Sequence, residues 1–159
     1  ILIYSFGLSW NPLVKGRLVS CSNDKSICVF DIEGAGATVN PTNKFLGHTC
    51  AVEDVAWHPI HENFFGSVGE DKTIMLWDYR ENKCVRETKG HASEIHTLAF
   101  NPFSEWVFAT AGADSVSFAL YQLLTVECVP LGFAQPGKEL ARTQSPQGPS
   151  LSIGLVSTQ

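Results

Sequence analysis

Histidines, hydroxyls and carboxylates at matched positions are the residues of this chain with the most chemistry in them. His48, Ser67 and Asp71 make one set, and His91, Thr110 and Asp114 repeat it 43 residues later. A base, a nucleophile and an orienting carboxylate are the ingredients of acyl transfer, but that reaction needs an exposed nucleophile beside an oxyanion hole. The chain has no G-x-S-x-G elbow and no phosphate-binding P-loop. The same groups satisfy one another inside a core, where an unpaired polar group costs roughly 1–3 kcal/mol. His58 and His61 make a poor metal site, since the intervening proline and short spacing supply no clear third ligand. The residues therefore predict no enzyme, no metal and no cofactor.

The elements that position these groups come from a chain of 159 residues, 44% hydrophobic and 17% charged, which is enough for one packed domain. Eleven basic against 16 acidic residues give a formal charge of -5. That balance disfavours nucleic acid as a direct ligand and leaves basic proteins as partners. The five cysteines (Cys21, Cys28, Cys50, Cys84, Cys128) form no CxxC pair and are odd in number, so free thiols in a reducing compartment are expected. No apolar run approaches the roughly 20 residues of a membrane span, and residues 1–6 lack the basic start of a signal peptide. A soluble intracellular chain with no membrane contact is expected.

Internal repetition organises the chain. GLSWNPLVKGRLVSCSNDKSICVFDI (7–32), VEDVAWHPIHENFFGSVGEDKTIMLWDY (52–79) and IHTLAFNPFSEWVFATAGADSVSFALYQ (95–122) align, with Trp10, Trp57 and Phe100 spaced by 47 and 43 residues. Ser20, Ser67 and Thr110 keep those offsets, as do Asp24, Asp71 and Asp114, and Pro12, Pro59 and Pro102 each follow two residues after the aromatic. Short alternating runs predict strands over 52–57, 64–68, 73–77 and 83–88, with Gly69 to Lys72 as a tight turn and Lys83, Arg86 and Glu87 keeping the last, outer strand soluble. Four antiparallel strands per period of about 43 residues match a propeller blade.

Gly47-His48, Gly90-His91 and Trp77-Asp78 resemble the WD-repeat signature. The resemblance implies a structural hydrogen-bonded tetrad of His48, Ser67, Asp71 and Trp77. In the third unit it implies His91, Thr110 and Asp114, with Leu120 where the tryptophan would stand. In the first, Ser20 and Asp24 fit, Phe30 replaces the tryptophan and the histidine falls at Ile1. The strings GLSWNP, FLGHTCAVEDVAWHPIHENFFGSV and EIHTLAFNPFSEWVFATAGAD look more closely like the histone-binding WD proteins related to the small subunit of chromatin assembly factor, also known as retinoblastoma-binding or Msi-like proteins. That likeness covers about residues 4 to 117. It implies core histones or similar basic tails as partners, other chromatin-complex subunits beside them, and the nucleus as location. The family's second histone site, an N-terminal helix with an acidic loop, has no counterpart here.

In a propeller the loops entering the innermost strands line the channel mouth. Glu53, four residues before Trp57, and Glu94 are the first choices for the Lys/Arg side chains of a histone tail, with His96 and Phe6 at positions equivalent to Glu53. Simple solvation is the plainer alternative for each glutamate. Asp78 and Arg80, in WDYR, resemble the box through which some WD proteins dock on a cullin-ligase adaptor; a local strand-end ion pair is the simpler reading.

The expected fold is all-β, a WD-repeat propeller fragment of about two and a half to three four-stranded antiparallel blades with its ring not closed. Residues 1–32 are expected to be a truncated first repeat, 33–43 a loop, 44–89 a complete repeat, 90–122 a third repeat with a divergent end, and 123–159 a disordered tail outside the family pattern. With both end faces uncovered, the isolated chain is expected to be marginal or aggregation-prone and to bind histones weakly or not at all.

Overall fold

Alternating side chains and regular turns give strands throughout the computed structural model, which describes residues 4–34, 36, 38–104, 107–114, 116–122 and 125–131, the last two segments by their backbone alone. The first blade contains β1 (Ser5–Trp10), β2 (Arg17–Ser22), β3 (Ser26–Asp31) and β4 (Asn43–Leu46). The second contains β5 (Val52–Trp57), β6 (Phe64–Gly69), β7 (Thr73–Asp78) and β8 (Lys83–Lys89), and the third β9 (Ile95–Phe100), β10 (Val107–Gly112), β11 (Val116–Gln122) and β12 (Thr125–Leu131). Each is a four-stranded antiparallel sheet hydrogen-bonded in chain order. β1 packs on β5 and β5 on β9, so the blades form an open arc of a propeller. Among the described residues no helix is long and apolar enough to cross a membrane.

Two expected boundaries move. The first blade is a complete sheet, because Asn43–Leu46 pairs with β3 and serves as its outer strand, where a loop to residue 43 and a second repeat from 44 were expected. The sequence repeat and the blade are thus out of phase by one strand. The third blade runs past residue 122, because Thr125–Leu131 pairs with β11 along its whole length and is a strand rather than tail. Pro130 is compatible with that place, since an outer strand needs no N–H on its free side. Residues 123, 124 and 132–159 of the expected tail lie outside the described residues.

Each innermost strand ends in the same device. Asn11 Oδ1 accepts the N–H groups of Leu13 and Val14 at 2.9 Å, and Asn101 Oδ1 accepts that of Phe103 at 2.8 Å. In the second blade His58 Nδ1 accepts the N–H groups of Ile60 and His61, both at 3.1 Å. The imidazole stands in for an asparagine amide, closing a turn whose second residue is a proline in all three blades. That is the structural use of His58. Its ring lies against His61 and Phe100, with centroids 4.7 and 4.9 Å away.

The core sits between blades. Val19, Cys21, Ile27, Val29 and Phe45 of the first blade meet Val55, Trp57, Phe65, Met75 and Trp77 of the second. Phe45 is wedged edge-on between Phe65 and Trp77, at centroid distances of 5.0 and 5.6 Å. The other face of the second blade sets Val68, Ile74 and Leu76 against Ile95, Leu98 and Phe108 of the third. β7 is consequently buried along its whole length, while β8 alternates exposed and half-buried residues as an outer strand should. Polar links reinforce the first seam. Arg17 stacks 4.2 Å above the Tyr79 ring and reaches Asp31 at 2.8 Å, and the Tyr79 hydroxyl donates to the same carboxylate at 3.3 Å. Cys21, Cys28, Cys50 and Cys84 are free thiols, and burial pushes the Cys21 thiol up to about 12, which leaves it inert.

At the second seam Gly66 gives room to Leu98: a Cβ there would stand 2.6 Å from Leu98 Cδ2 and 3.2 Å from the Phe100 ring. Gly66→Val should therefore lower stability by about 1–3 kcal/mol through overpacking. A urea midpoint equal to that of the unaltered chain would show that this seam is not close-packed.

Candidate functional site

The polar core of the second blade is a hydrogen-bond chain with one direction. The Trp77 indole N–H donates to Ser67 Oγ at 2.8 Å, and Ser67 Oγ lies 2.7 Å from His48 Nε2. His48 Nδ1 is 2.9 Å from Asp71 Oδ2, which also accepts the Thr49 N–H at 2.8 Å. With the proton on Nδ1, the tautomer assigned by this network, every donor points toward the carboxylate and each group is satisfied. Ser67 is fully buried and His48 nearly so, which removes any nucleophilic role for the hydroxyl. The third blade repeats the chain as far as it can. His91 Nε2 meets Thr110 Oγ1 at 2.8 Å, and its Nδ1 meets Asp114 at 2.7 Å. In the first blade Asp24 turns to Ser26, accepting from its N–H at 3.0 Å and its hydroxyl at 2.5 Å.

These chains hold the segments that enter the innermost strands. His48 and Thr49 lie between β4 and β5, and His91 and Ala92 between β8 and β9, so each histidine clamps an incoming strand onto the β6–β7 or β10–β11 turn of its blade. The next feature along each incoming strand is a β-bulge. Pairing skips Phe6 between Ser5 and Gly7, Glu53 between Val52 and Asp54, and His96 between Ile95 and Thr97. A bulged residue leaves the ladder and has its side chain re-aimed. The three candidate residues related by the repeat are thus the three bulge residues. They fall along the inner edge of the arc. His96 Nδ1 lies 3.8 Å from Glu53 Oε2, with the His96 side chain half exposed and Glu53 largely sheltered. Phe6 is 51% exposed. Glu94 is exposed two residues before His96. Its side chain forms no ion pair among the described residues, while its backbone carbonyl accepts the Ala113 N–H at 3.0 Å.

Asp54, beside the bulge, is a residue the repeat landmarks missed. Its Oδ2 accepts the Thr97 hydroxyl and the Leu98 N–H of the third blade, both at 2.9 Å. A Cβ on Gly7 would come within 3.0 Å of Asp54 Oδ1, so the first blade approaches the same carboxylate closely. Gly7, Asp54 and Thr97 share the repeat offsets of 47 and 43 but differ in type, so the alignment carries no signal for Asp54.

Asp78 and Arg80 form a local pair. Arg80 Nη2 reaches Asp78 Oδ2 at 3.0 Å, and the Arg80 N–H donates to Asp78 Oδ1 at 2.8 Å. The Asp78 carboxyl is held below its ordinary value, chiefly by the Arg80 side chain. Arg80 is nonetheless exposed, and it borders a cleft of about 290 Å³ with Leu13, Ile60 and Phe64.

Comparison with known proteins agrees with this geometry. The family model described as "WD domain, G-beta repeat" matches residues 39–78 and 82–116. Its first match begins ahead of β4, in phase with the sequence repeat and one strand out of phase with the blade. The WD-40 repeat-containing protein MSI3 of Arabidopsis thaliana is 43% identical over 120 residues, covering 74% of this chain and 28% of that protein. The chain therefore spans little more than a quarter of that relative's length.

The carboxylates of the polar chains give stability a pH dependence. Burial raises the pKa of Asp71, but the Thr49 N–H and the His48 imidazole outweigh it and hold the carboxyl below the ordinary 3.8. Asp114 is held lower still, first by the His91 hydrogen bond. A carboxyl whose pKa is depressed by folding stabilises the fold above its unfolded value and loses that contribution as pH falls through the folded one. The melting temperature should accordingly be level with respect to these groups near neutrality and fall as pH drops below about 4. Asp71→Asn should melt lower at neutral pH and show a shallower acid decline; an unchanged acid profile in that variant would remove Asp71 from the account.

Proposed function

Because the chain is a WD-repeat protein of the Msi-like family, we propose that it acts as a histone-binding scaffold subunit of nuclear chromatin complexes, taking a basic tail along the rim of Phe6, Glu53, Glu94 and His96. The observation that carries this reading is the bulge at each of the three equivalent positions. A bulge repeated in every blade takes three equivalent residues out of the ladder, and two of them, Glu53 and His96, stand together. A partly sheltered carboxylate such as Glu53 forms a stronger charge-assisted hydrogen bond with Lys or Arg than a fully solvated one. Glu94 extends the acidic character outward, and Phe6 adds an apolar surface for the aliphatic stem of a lysine. The chain's net charge of -5 favours approach of a basic segment. No catalytic role is assigned to any residue.

A second reading rests on Arg80, which is exposed beside the Leu13–Ile60–Phe64 cleft. Docking of a ubiquitin-ligase adaptor there predicts adaptor co-purification that disappears with Arg80→Ala. Loss of Arg80 also leaves the buried Asp78 without its partner, so a matched melting temperature is the necessary control.

Capture of core histones, or of a lysine-rich histone-tail peptide, by the whole chain is the direct test. Glu53→Lys combined with Glu94→Lys should weaken capture at least tenfold while leaving the melt unchanged. Equal capture by the doubly substituted chain would remove the rim assignment.

A further inference from the structure

Of the three bulge residues, Glu53 is an acid and His96 a base, and they belong to adjacent blades. Backbone, rather than their own contact, keeps them near each other. The Thr97 hydroxyl and the Leu98 N–H both donate to Asp54 Oδ2 at 2.9 Å, which locks β5 against β9 in the residues directly after the two bulges. The seam is internal to the arc, since β5 packs against β1 as well as β9.

His96 Nδ1 stands 3.8 Å from Glu53 Oε2. That is within reach of an ion pair and too long for a hydrogen bond. A neutral imidazole therefore leaves the carboxylate open, whereas a protonated one is drawn onto it by a small side-chain rotation. The Glu53 side chain is only 21% exposed, so this attraction is screened less than one between two solvated groups. Histidine is the side chain whose ordinary titration falls between about pH 5 and 8. The other ionisable groups on the surrounding elements are the carboxylates of Asp54, Glu70, Asp71, Glu94 and Asp114, the Lys72 ammonium, which donates to the Ala92 carbonyl at 2.7 Å, and the buried Cys21 thiol. Carboxylates and ammonium groups ordinarily titrate well outside that window. The buried His48 and His91 rings are engaged at both nitrogens within the polar chains, so the imidazole that opens onto the rim is that of His96.

We propose that His96 is the chain's own competitor for Glu53: charged, it occupies the carboxylate and repels a basic side chain, and neutral, it yields the carboxylate to that side chain. The proposal rests on the reading of the rim as a site for a basic tail, and it states the condition under which that site is open. Tail and proton then bind against each other, so docking of a Lys or Arg side chain on Glu53 expels the proton from His96, and affinity rises with pH through the imidazole's titration. A single competing proton changes affinity by at most about tenfold per pH unit. Phe6, the equivalent residue of the first blade, carries no charge, so the effect is local to the seam between the second and third blades.

The test is the affinity of the full chain for an N-acetylated, histidine-free, lysine-rich peptide, measured by fluorescence anisotropy at constant ionic strength at about pH 7.5 and about pH 5.5, on either side of the ordinary imidazole titration. The unaltered chain should bind about three- to tenfold more weakly at the lower pH. In His96→Gln, which carries no charge at either pH, the ratio of the two affinities should fall to near one, whatever the affinity itself. His96→Lys, charged at both, should also lose the pH dependence and bind weakly throughout. Melting curves of each variant at both pH values show that the comparison is made on folded chains. Equal affinity of the unaltered chain at the two pH values, or a pH dependence that survives in His96→Gln, would overturn the competition and leave the rim reading standing. Absence of binding at both pH values would sink the rim reading and the competition with it.

Discussion

The rest of this structure depends on one buried polar chain, from the Trp77 indole through Ser67 and His48 to Asp71. Every member is polar and nearly every member is buried, so the chain stabilises the fold only when it is complete. Its particular consequence is geometric. His48 belongs to the connection between the outer strand of one blade and the inner strand of the next, so binding it to β6, β7 and their turn fixes how the second blade meets the first. Phe45, three residues earlier, then falls between Phe65 and Trp77, and the apolar seam closes around the same tryptophan that starts the polar chain.

The rim inherits its order from that clamp. Thr49 is held by Asp71, and four residues later Glu53 leaves the ladder as a bulge. In the third blade Ala92 is held by Asp114, and four residues later His96 does the same. The residues that could meet a ligand are thus a fixed distance along the chain from the residues that anchor it. Asp54 ties the second and third inner strands together just beside them, which keeps Glu53 and His96 neighbours. A binding rim on this fold is a product of strand entry.

Much of this is legible in the sequence, and the rest is hidden for identifiable reasons. The spacing of His48, Ser67, Asp71 and Trp77 gives the tetrad, and alternation over 52–57, 73–77 and 83–88 gives the second blade nearly strand for strand. The blade to which Asn43–Leu46 belongs is not legible, because a four-residue strand carries no mark of its partner and the sequence repeat begins one strand early. The bulges are hidden because all three blades carry one at the same offset, so alignment shows no insertion. Asp54 and the turn-closing His58 escape because their roles are seen only when two blades, or a side chain and a backbone, are brought together. At Thr125–Leu131 the family pattern had already faded, and a strand set by pairing with β11 left only the weak alternation of T-V-E-C-V-P-L to read.

The central claim is that the polar chain is closed and buried, and that it opens only when the blade does. Hydrogen exchange of the tryptophan indole protons, followed by NMR, tests it most directly, with the exposed Trp10 as an internal reference. The Trp77 indole proton should exchange orders of magnitude more slowly than that of Trp10, at a rate that tracks global unfolding in urea. Exchange of Trp77 as fast as Trp10 under native conditions would contradict the account.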